Sequence, residues 1–279
     1  MKKESAAPGI AEALKKGRLS GRWKYDDLMK ILTRMESMDV SVEKKRKVTM
    51  VIFIILYIAA AFCLFAALLI PALVGAVLGT LFVILFIRYK RRDMDNEFRF
   101  YLKDLLENLK DDIKPEADIT LDICLHPTES KEFLKKKSPK YSKGAYHTCY
   151  DFNYERDCLT LGLKLTDGNS LRLARRDLLL RSERTKRSSS GKSKTKTKYS
   201  SRFIYQVQMR INPERYSFQA PPHPKTGKPI TVEQTPKGPV VKMSFVQKLK
   251  SGSAKADPLY TLEEIVKLYS LFKPAGQKS

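Results

Sequence analysis

The sequence is poor in the residues that most often carry catalysis or hold metals, with only three His and four Cys among 279 residues. It contains no H-E-x-x-H, G-x-S-x-G or dinucleotide-binding glycine pattern. The run Gly191-Lys192-Ser193 resembles the end of a phosphate-binding loop, but Lys186 stands where that loop needs its first glycine. The chain is therefore predicted to be non-enzymatic and to need no cofactor. The alternative is a membrane-anchored enzyme whose site is not visible as a motif.

The few thiols and imidazoles include one arrangement that deserves testing as a metal site. Cys124 and His126 alternate on one predicted strand, and His147 and Cys149 alternate on another. Neighbouring strands in the right register would bring these four side chains around zinc. Structural zinc sites usually take their ligands from tight turns, so the favoured interpretation is four ordinary surface residues and no metal.

Charge of either sign is absent from Val48 to Ile87, and this apolar run is the clearest feature of the sequence. One helix of that length would measure about 60 Å, roughly twice the hydrocarbon core of a bilayer. We therefore predict a two-helix transmembrane hairpin over residues 48–87 that folds back at Pro71. The alternative is a re-entrant pair of helices that does not fully cross.

Basic residues flank both ends of the hairpin, from Lys44 to Lys47 and from Arg88 to Arg92. Lys and Arg are retained on the cytoplasmic side of membranes, so both termini are predicted to be cytoplasmic. An integral protein of a bacterial inner membrane is the localisation that we expect. Small residues spaced four apart could pack the hairpin internally or join it to a second copy as a homo-oligomer. They are Ala59, Cys63 and Ala67 on the first arm, and Gly75 and Gly79 on the second.

The chain outside the apolar run divides by composition and periodicity. Residues 1–20 are predicted to be a disordered basic N-terminus, and residues 21–40 an amphipathic helix. A helical apolar stripe over residues 93–114 predicts a stalk helix after the hairpin. Residues 118–279 are predicted to form a basic, β-rich cytoplasmic domain.

The β-rich domain is predicted from apolar residues that alternate with polar ones. Its strongest signal is LTLGLKLTDGNSLRL, where Asp167-Gly168 supplies the chemistry of a hairpin turn. One apolar face per strand predicts an antiparallel barrel or sandwich. A C-terminal helix is predicted from a capping box at Thr261 and Glu264. Strands followed by a helix resemble pleckstrin-homology-like domains in layout alone, and no function is inferred from that likeness. The fold class is thus an α+β membrane protein.

Two basic runs of this domain, residues 182–199 and 131–143, carry about half of the net charge of +23. The Ser- and Lys-rich residues 182–199 are predicted to be a mobile loop. Lipids of an anionic leaflet attract such runs, so membrane lipids are the predicted partner, with a protein partner as the other option. A membrane-tethered nucleic-acid-binding protein is the remaining alternative, which the lack of interleaved aromatic residues disfavours. The predicted anionic-surface residues are Arg184, Lys186, Arg187, Lys192, Lys194, Lys196 and Lys198, with Lys135, Lys136 and Lys137.

Overall fold

The chain folds into two compact units in the computed structural model. The helical unit comprises residues 30–95, and the sheet unit comprises the residues up to 29 and from 96 onward. Two long apolar helices precede a large antiparallel sheet and a C-terminal helix, which confirms the α+β class. The structure describes residues 8–90, 94–188, 191–218, 230–236, 238–249 and 256–275.

The N-terminal segment is more ordered than its composition predicts. Helix α1 covers Pro8–Lys16 and strand β1 covers Arg18–Trp23, whereas the sequence predicts disorder over residues 1–20. Residues 1–7 of that range lie outside the described residues. The order comes from pairing, because β1 lies antiparallel to a strand far along the chain, with Leu19 opposite Ile123. A long-range partner of this kind leaves no local sequence signal.

Helix α2, Tyr25–Phe65, joins the predicted amphipathic helix to the first apolar arm in one unbroken element. Leu28, Leu32 and Met35 are buried, which is the apolar face expected from their spacing. Helix α3 covers Leu69–Lys90. Both α2 and α3 are long and apolar enough to cross a membrane.

The hairpin turns slightly earlier than predicted. Its turn lies between Phe65 and Leu69, where Ala67 adopts a left-handed φ of 59°. The backbone N–H of Leu68 donates to the carbonyl of Cys63 at 2.9 Å, which closes the end of α2. Pro71 falls in the first turn of α3, a position where its missing N–H costs nothing. The fold-back therefore precedes the proline instead of occurring at it.

The predicted stalk is packed onto the sheet unit. A π-helical turn covers Phe98–Lys103, followed by α4 at Asp104–Asn108 and a 3₁₀ turn at Lys110–Asp112. The apolar stripe of the predicted stalk is buried. A helix that stood alone as a stalk would leave this stripe exposed to water. Its buried members are Phe98, Tyr101, Leu102, Leu105, Leu106, Leu109 and Ile113.

One sheet of nine strands organises the sheet unit. Seven strands follow the order β1-β2-β5-β6-β7-β10-β9, and β3 and β4 pair with the part of β5 that extends beyond β2. A separate two-stranded ribbon pairs β8 with β11. The strands after β1 are β2 Ile119–Cys124, β3 Leu134–Lys137, β4 Tyr141–Lys143, β5 Tyr146–Lys164, β6 Ser170–Arg187, β7 Ser193–Arg210, β8 Tyr216–Phe218, β9 Ile230–Glu233, β10 Val240–Leu249 and β11 Phe272–Pro274.

The described strands form an open sheet, so the predicted barrel or sandwich is corrected. Strands β1 and β9 end the sheet without pairing to each other, and helices instead of a second large sheet lie on one side. Tyr101, before α4, stacks near Tyr205 of the sheet with ring centroids 6.2 Å apart. Its hydroxyl lies 2.9 Å from that of Thr261 in helix α5, Pro258–Tyr269. We call this helix-packed side the covered face.

Helix α5 begins three residues before the predicted capping box. Asp257 is the N-cap, and its carboxylate accepts from the backbone N–H of Leu259 at 3.0 Å, with Pro258 in the first position. Thr261 and Glu264 lie inside the helix and are buried. The local signal was right about the helix and wrong about which side chain caps it.

Residues 182–199 form part of a β-hairpin and not the predicted mobile loop. Strands β6 and β7 stay paired as far as Arg187 and Ser193, although residues 189 and 190 of the range lie outside the described residues. Thr185 and Thr195 face each other with hydroxyl oxygens 2.9 Å apart. The alternation Lys-Thr-Lys-Thr-Lys places β-branched side chains on one face of β7, which favours a strand. We call residues 178–188 and 191–202 the arm.

Candidate functional site

The side of the sheet opposite the helices carries a row of polar and basic residues that runs across five strands. Thr120, Gly162, Arg172, Gln208 and Lys242 are consecutive partners from β2 to β10. Because side chains alternate across a strand, the residues two apart along each strand share this side. We call it the open face.

Most acidic residues on the open face are already paired with some of its cations, whereas Asp151 accepts from the hydroxyl of Tyr141 at 2.8 Å. Asp122 binds Arg18, and Arg176 binds both Glu155 at 2.9 Å and Asp157 at 2.8 Å. Glu233 binds Lys242 at 2.6 Å. Other cations of the face have no ion-pair partner among the described residues, so its positive charge is uncompensated. They include Lys164, Arg172, Lys194, Lys196, Lys198, Arg202 and Arg210.

The arm extends this charge along the same face. Lys198 pairs with Ser182, Lys196 with Arg184 and Lys194 with Lys186, so five basic side chains follow two adjacent strands. These three lysines and Lys186 are exposed. Like charges directly opposite each other destabilise a strand pair, which favours an anionic partner that would screen them.

The predicted anionic-surface residues are mostly, but not all, on one side. Lys136 pairs with Asn153 and lies on the open face, and Lys135 lines a depression there with Arg202. Lys137 points to the other side, where its ammonium lies 4.8 Å from the ring centroid of Tyr150. Arg187 ends β6, and Lys192 lies in the turn at the tip of the arm.

Sequence reasoning missed the basic residues in the body of the sheet. Arg172, Arg202 and Arg210 are separated from other cations along the chain, so no charge run marks them. The register shows Arg172 and Arg210 on adjacent strands, two residues out of step. A signal was available in the alternation of β6 and β7. Near these three arginines, the odd-numbered positions are mostly apolar, so the even-numbered positions, which include the arginines, lie on the opposite side.

The four possible zinc ligands are not brought together. Cys149 pairs with Tyr141 of β4 and Arg184 of β6, whereas Cys124 ends β2. The ring of His126 lies 2.5 Å from Glu132. His147 ring Nδ1 lies 3.0 Å from the hydroxyl of Thr148. Within the described ranges, no group of three or more His, Cys, Asp or Glu residues could hold a metal ion.

The small residues of the helical unit divide between packing and exposure. A Cβ added at Gly75 would lie 3.1 Å from that of Ala60, and one at Gly79 would lie 3.3 Å from the ring of Tyr57. These two glycines therefore allow close approach of α2 and α3. The other predicted packing residues have different places.

On the first arm, Ala59 is exposed, Cys63 is half-buried and Ala67 lies in the turn. The residue that meets Gly75 is Ala60, one position along from Ala59. The spacing of four was therefore right for the second helix and in the wrong register on the first. An exposed Ala59 stays available for the predicted contact with a second copy.

The covered face contains a buried ion cluster formed by Glu97, Arg156, Cys158, Arg175 and Asp177. Arg175 Nε donates to Asp177 Oδ1 at 2.8 Å, and Arg175 Nη1 donates to Glu97 Oε2 at 2.9 Å. Arg156 Nη2 donates to Asp177 Oδ2 at 2.5 Å. Burial disfavours the charge on Asp177, but the two guanidinium groups outweigh it and lower its pKa.

The thiol in this cluster is not an accessible nucleophile. Arg175 Nη2 donates to Cys158 Sγ at 3.1 Å, and the residue is only 1% exposed. Burial raises the pKa of Cys158, the opposite of the shift that activates a catalytic thiol. The cluster thus holds strands β5 and β6 to the segment before α4.

No protein-family model, curated protein or solved structure matches this chain. Its chemistry must therefore be inferred from the arrangement of its own residues. The open face offers uncompensated guanidinium and ammonium groups, which bind phosphate and carboxylate oxygens. It is the candidate functional site.

Proposed function

We propose that the chain is a non-enzymatic integral membrane protein whose sheet unit binds the anionic surface of the membrane that holds its helices. The uncompensated cations of the open face and the arm carry this proposal. Each Lys or Arg near an anionic leaflet contributes about 1 kcal/mol, and the attraction falls off within a Debye length. The membrane is taken to be a bacterial inner membrane, with the sheet unit and both termini on its cytoplasmic side.

The covalent connection favours a surface close to the sheet unit. Residues 91–95 connect α3 to the sheet unit, and five residues span at most about 18 Å when fully extended. A tether of this length makes binding to nearby lipid effectively intramolecular, which adds to the affinity that the surface has for lipid by itself.

The composition of the open face favours lipid over single-stranded nucleic acid. Its positions in β2, β5, β6, β7 and β10 include no Phe, Tyr or Trp, and Tyr141 of β4, which contacts Asp151, has its hydroxyl engaged there. Proteins that bind single strands stack bases on aromatic side chains. An acidic protein partner would meet the same cations, and the experiment below separates it from lipid because the vesicles that it uses contain no protein.

Replacing Lys192, Lys194, Lys196 and Lys198 by Gln is expected to weaken binding to anionic vesicles by roughly tenfold to several hundredfold, since about 1 kcal/mol is lost for each engaged lysine and as many as four are engaged. The full chain is inserted in nanodiscs of phosphatidylcholine and mixed with vesicles rich in phosphatidylglycerol. Flotation of the vesicles then measures the bound fraction as salt is raised.

A matched variant replaces Lys15, Lys110, Lys114 and Lys273 by Gln, which removes the same charge from exposed sites outside the open face. It should float like the unmodified chain. Equal losses in both variants would show that net charge alone matters. Failure of the unmodified chain to float at low salt would refute lipid binding by this surface.

A further inference from the structure

The open face has a depression at the end of the sheet opposite the arm. Gly162 lies between Thr120 and Arg172 in the row across the sheet, so that row has a gap where a side chain would stand. The neighbouring row contains the short Ser170 between Lys164 and Arg210. The gap and the short side chain open a concave volume of about 490 Å³.

Three cations surround this depression without an anion of their own. Lys164, Arg172 and Arg210 line it, and none has an ion-pair partner among the described residues. The carboxylate at its border, Asp118, is bound by Lys24 at 3.0 Å. Guanidinium groups bind phosphate oxygens in pairs, with geometry that an ammonium group does not impose.

Neutral hydrogen-bonding groups complete the lining. Thr120, Thr160 and Ser170 contribute hydroxyls that donate or accept, and Gln208 contributes an amide that does both. A bare phosphate would leave these groups to water, whereas a phosphate that carries hydroxyl groups would use them. The site therefore matches a ligand with one anionic end and one polyol end.

We infer that this depression binds a phosphorylated polyol, with the phosphate at Arg172 and Arg210 and the polyol hydroxyls at Thr120, Thr160 and Gln208. This inference extends the proposed function. It rests on that function only for the source of the ligand. A glycerol-phosphate lipid headgroup and a soluble polyol phosphate share this chemistry.

The test fills the gap without changing any charge. A Cβ at Gly162 would meet Thr120 at 3.6 Å, an ordinary contact, and φ is not in the left-handed region. Gly162→Val therefore fits a strand while its side chain occupies the depression. Ala174→Val is the matched control, because Ala174 lies on the same face in the next row, between Thr160 and Gln206, and does not line the depression.

Calorimetric titration of the full chain in phosphatidylcholine nanodiscs uses glycerol 1-phosphate as the probe. We expect saturable binding with one site per chain, a loss of at least about tenfold in Gly162→Val and in Arg172→Gln, and no change in Ala174→Val. Unchanged thermal unfolding shows that each variant is folded, and Arg172→Gln gives an independent result if Gly162→Val is not. Absence of saturable binding to the unmodified chain, or equal loss in Ala174→Val, would overturn the inference.

The flotation assay distinguishes a lipid headgroup from a soluble polyol phosphate as the ligand. It also distinguishes failure of this inference from failure of the proposed function. If the lipid headgroup is the ligand, glycerol 1-phosphate lowers flotation of the unmodified chain with phosphatidylglycerol vesicles and does not affect Gly162→Val. If it binds without lowering flotation, the site takes a soluble ligand and the inference stands. Flotation that persists in a chain that shows no saturable binding removes the site and leaves the proposed function intact. Saturable binding of glycerol 1-phosphate by a chain that does not float would keep the site and remove the proposed function.

Discussion

Asp177→Asn is expected to lower the free energy of unfolding of the sheet unit by about 3–5 kcal/mol, because it removes the anion between two buried arginines. Arg156 and Arg175 are 1% and 2% exposed, so water cannot replace the lost charge. Glu97 stays bound to Arg175, but the ion pairs that Asp177 makes with both arginines are lost. The substitution conserves shape, so the effect reports charge and not a cavity.

Thermal unfolding of the full chain in detergent, followed by the β-sheet amide I band, measures this effect. For a domain of this size the loss corresponds to roughly 6–20 °C in Tm. The control is Asp157→Asn, which breaks an ion pair with Arg176 on the open face, where both side chains are at least half exposed. Exposed pairs contribute about 0–1 kcal/mol, so the control should barely shift Tm. Similar shifts in the two variants would contradict a special role for the buried ion cluster.

The same carboxylate gives the sheet unit a defined response to acid. The pKa of Asp177 is lowered in the folded state by Arg175 and Arg156 against the cost of burial. Its contribution to stability is therefore complete above the unfolded pKa of about 3.9 and is lost as the pH falls through the lower folded value. Asp177→Asn lacks this contribution at every pH, so its Tm deficit should shrink as the pH falls below about 4. A deficit that is constant down to the acid transition would show that Asp177 is not charged in the folded protein.

This cluster shows why part of the fold was beyond sequence reasoning. Arg156 and Asp177 occur among alternating polar and apolar residues, and nothing local marks them as buried. Arg156 is buried because β5 has a bulge between Asp157 and Leu159, which puts it on the covered face together with Cys158 and Leu159, whereas Asp177 lies there by the ordinary alternation of β6. A bulge shifts the alternation that sequence reasoning uses to assign faces, so the covered positions of β5 are odd-numbered after the bulge and even-numbered before it.

The elements that were predicted correctly have strong local periods. The apolar run that forms α2 and α3 and the turn at Asp167-Gly168 depend on neighbouring residues alone. The open sheet depends on pairing of β1 with β2, residues about 100 apart in sequence, which no local pattern specifies. The arm was mispredicted for another reason. Its Ser and Lys content indicated a loop, whereas its strict alternation of Lys and Thr indicated a strand, and the alternation prevailed.

The basic surface was predicted only where its residues are consecutive. Lys194, Lys196 and Lys198 form a charge run and were found, whereas Arg172 and Arg210 come together only through the register of β6 and β7. Gly162 carries no chemistry of its own and could not be singled out from sequence. The depression exists because Gly162 has no side chain in the row across the sheet.

Both termini are expected on one side of the membrane, and the turn at Ala67 on the other. From Val48 to Phe65 the uncharged part of α2 spans about 27 Å, and from Leu69 to Ile87 that of α3 spans about 28 Å, close to the roughly 30 Å of a hydrocarbon core. The helices pack side by side, with the hydroxyls of Tyr57 and Thr80 3.1 Å apart. Because both arms are of nearly full length, we expect the turn to lie at the far headgroup layer, which a re-entrant pair would not reach.

The full chain is tagged at both termini and made in a bacterial host. Protease and maleimide accessibility in inside-out and right-side-out membrane vesicles from that host then tests this arrangement. Protease should remove both tags in inside-out vesicles and neither in right-side-out ones. A membrane-impermeant maleimide should label Leu68→Cys only in right-side-out vesicles, above the background of the unmodified chain, and should not label Ile58→Cys, which lies in the middle of the apolar part of α2. Labelling of neither cysteine, with both tags on the inner side, would indicate the re-entrant form. Tags on opposite sides would contradict the hairpin itself, and with it the placement of the open face beside the leaflet to which it is proposed to bind.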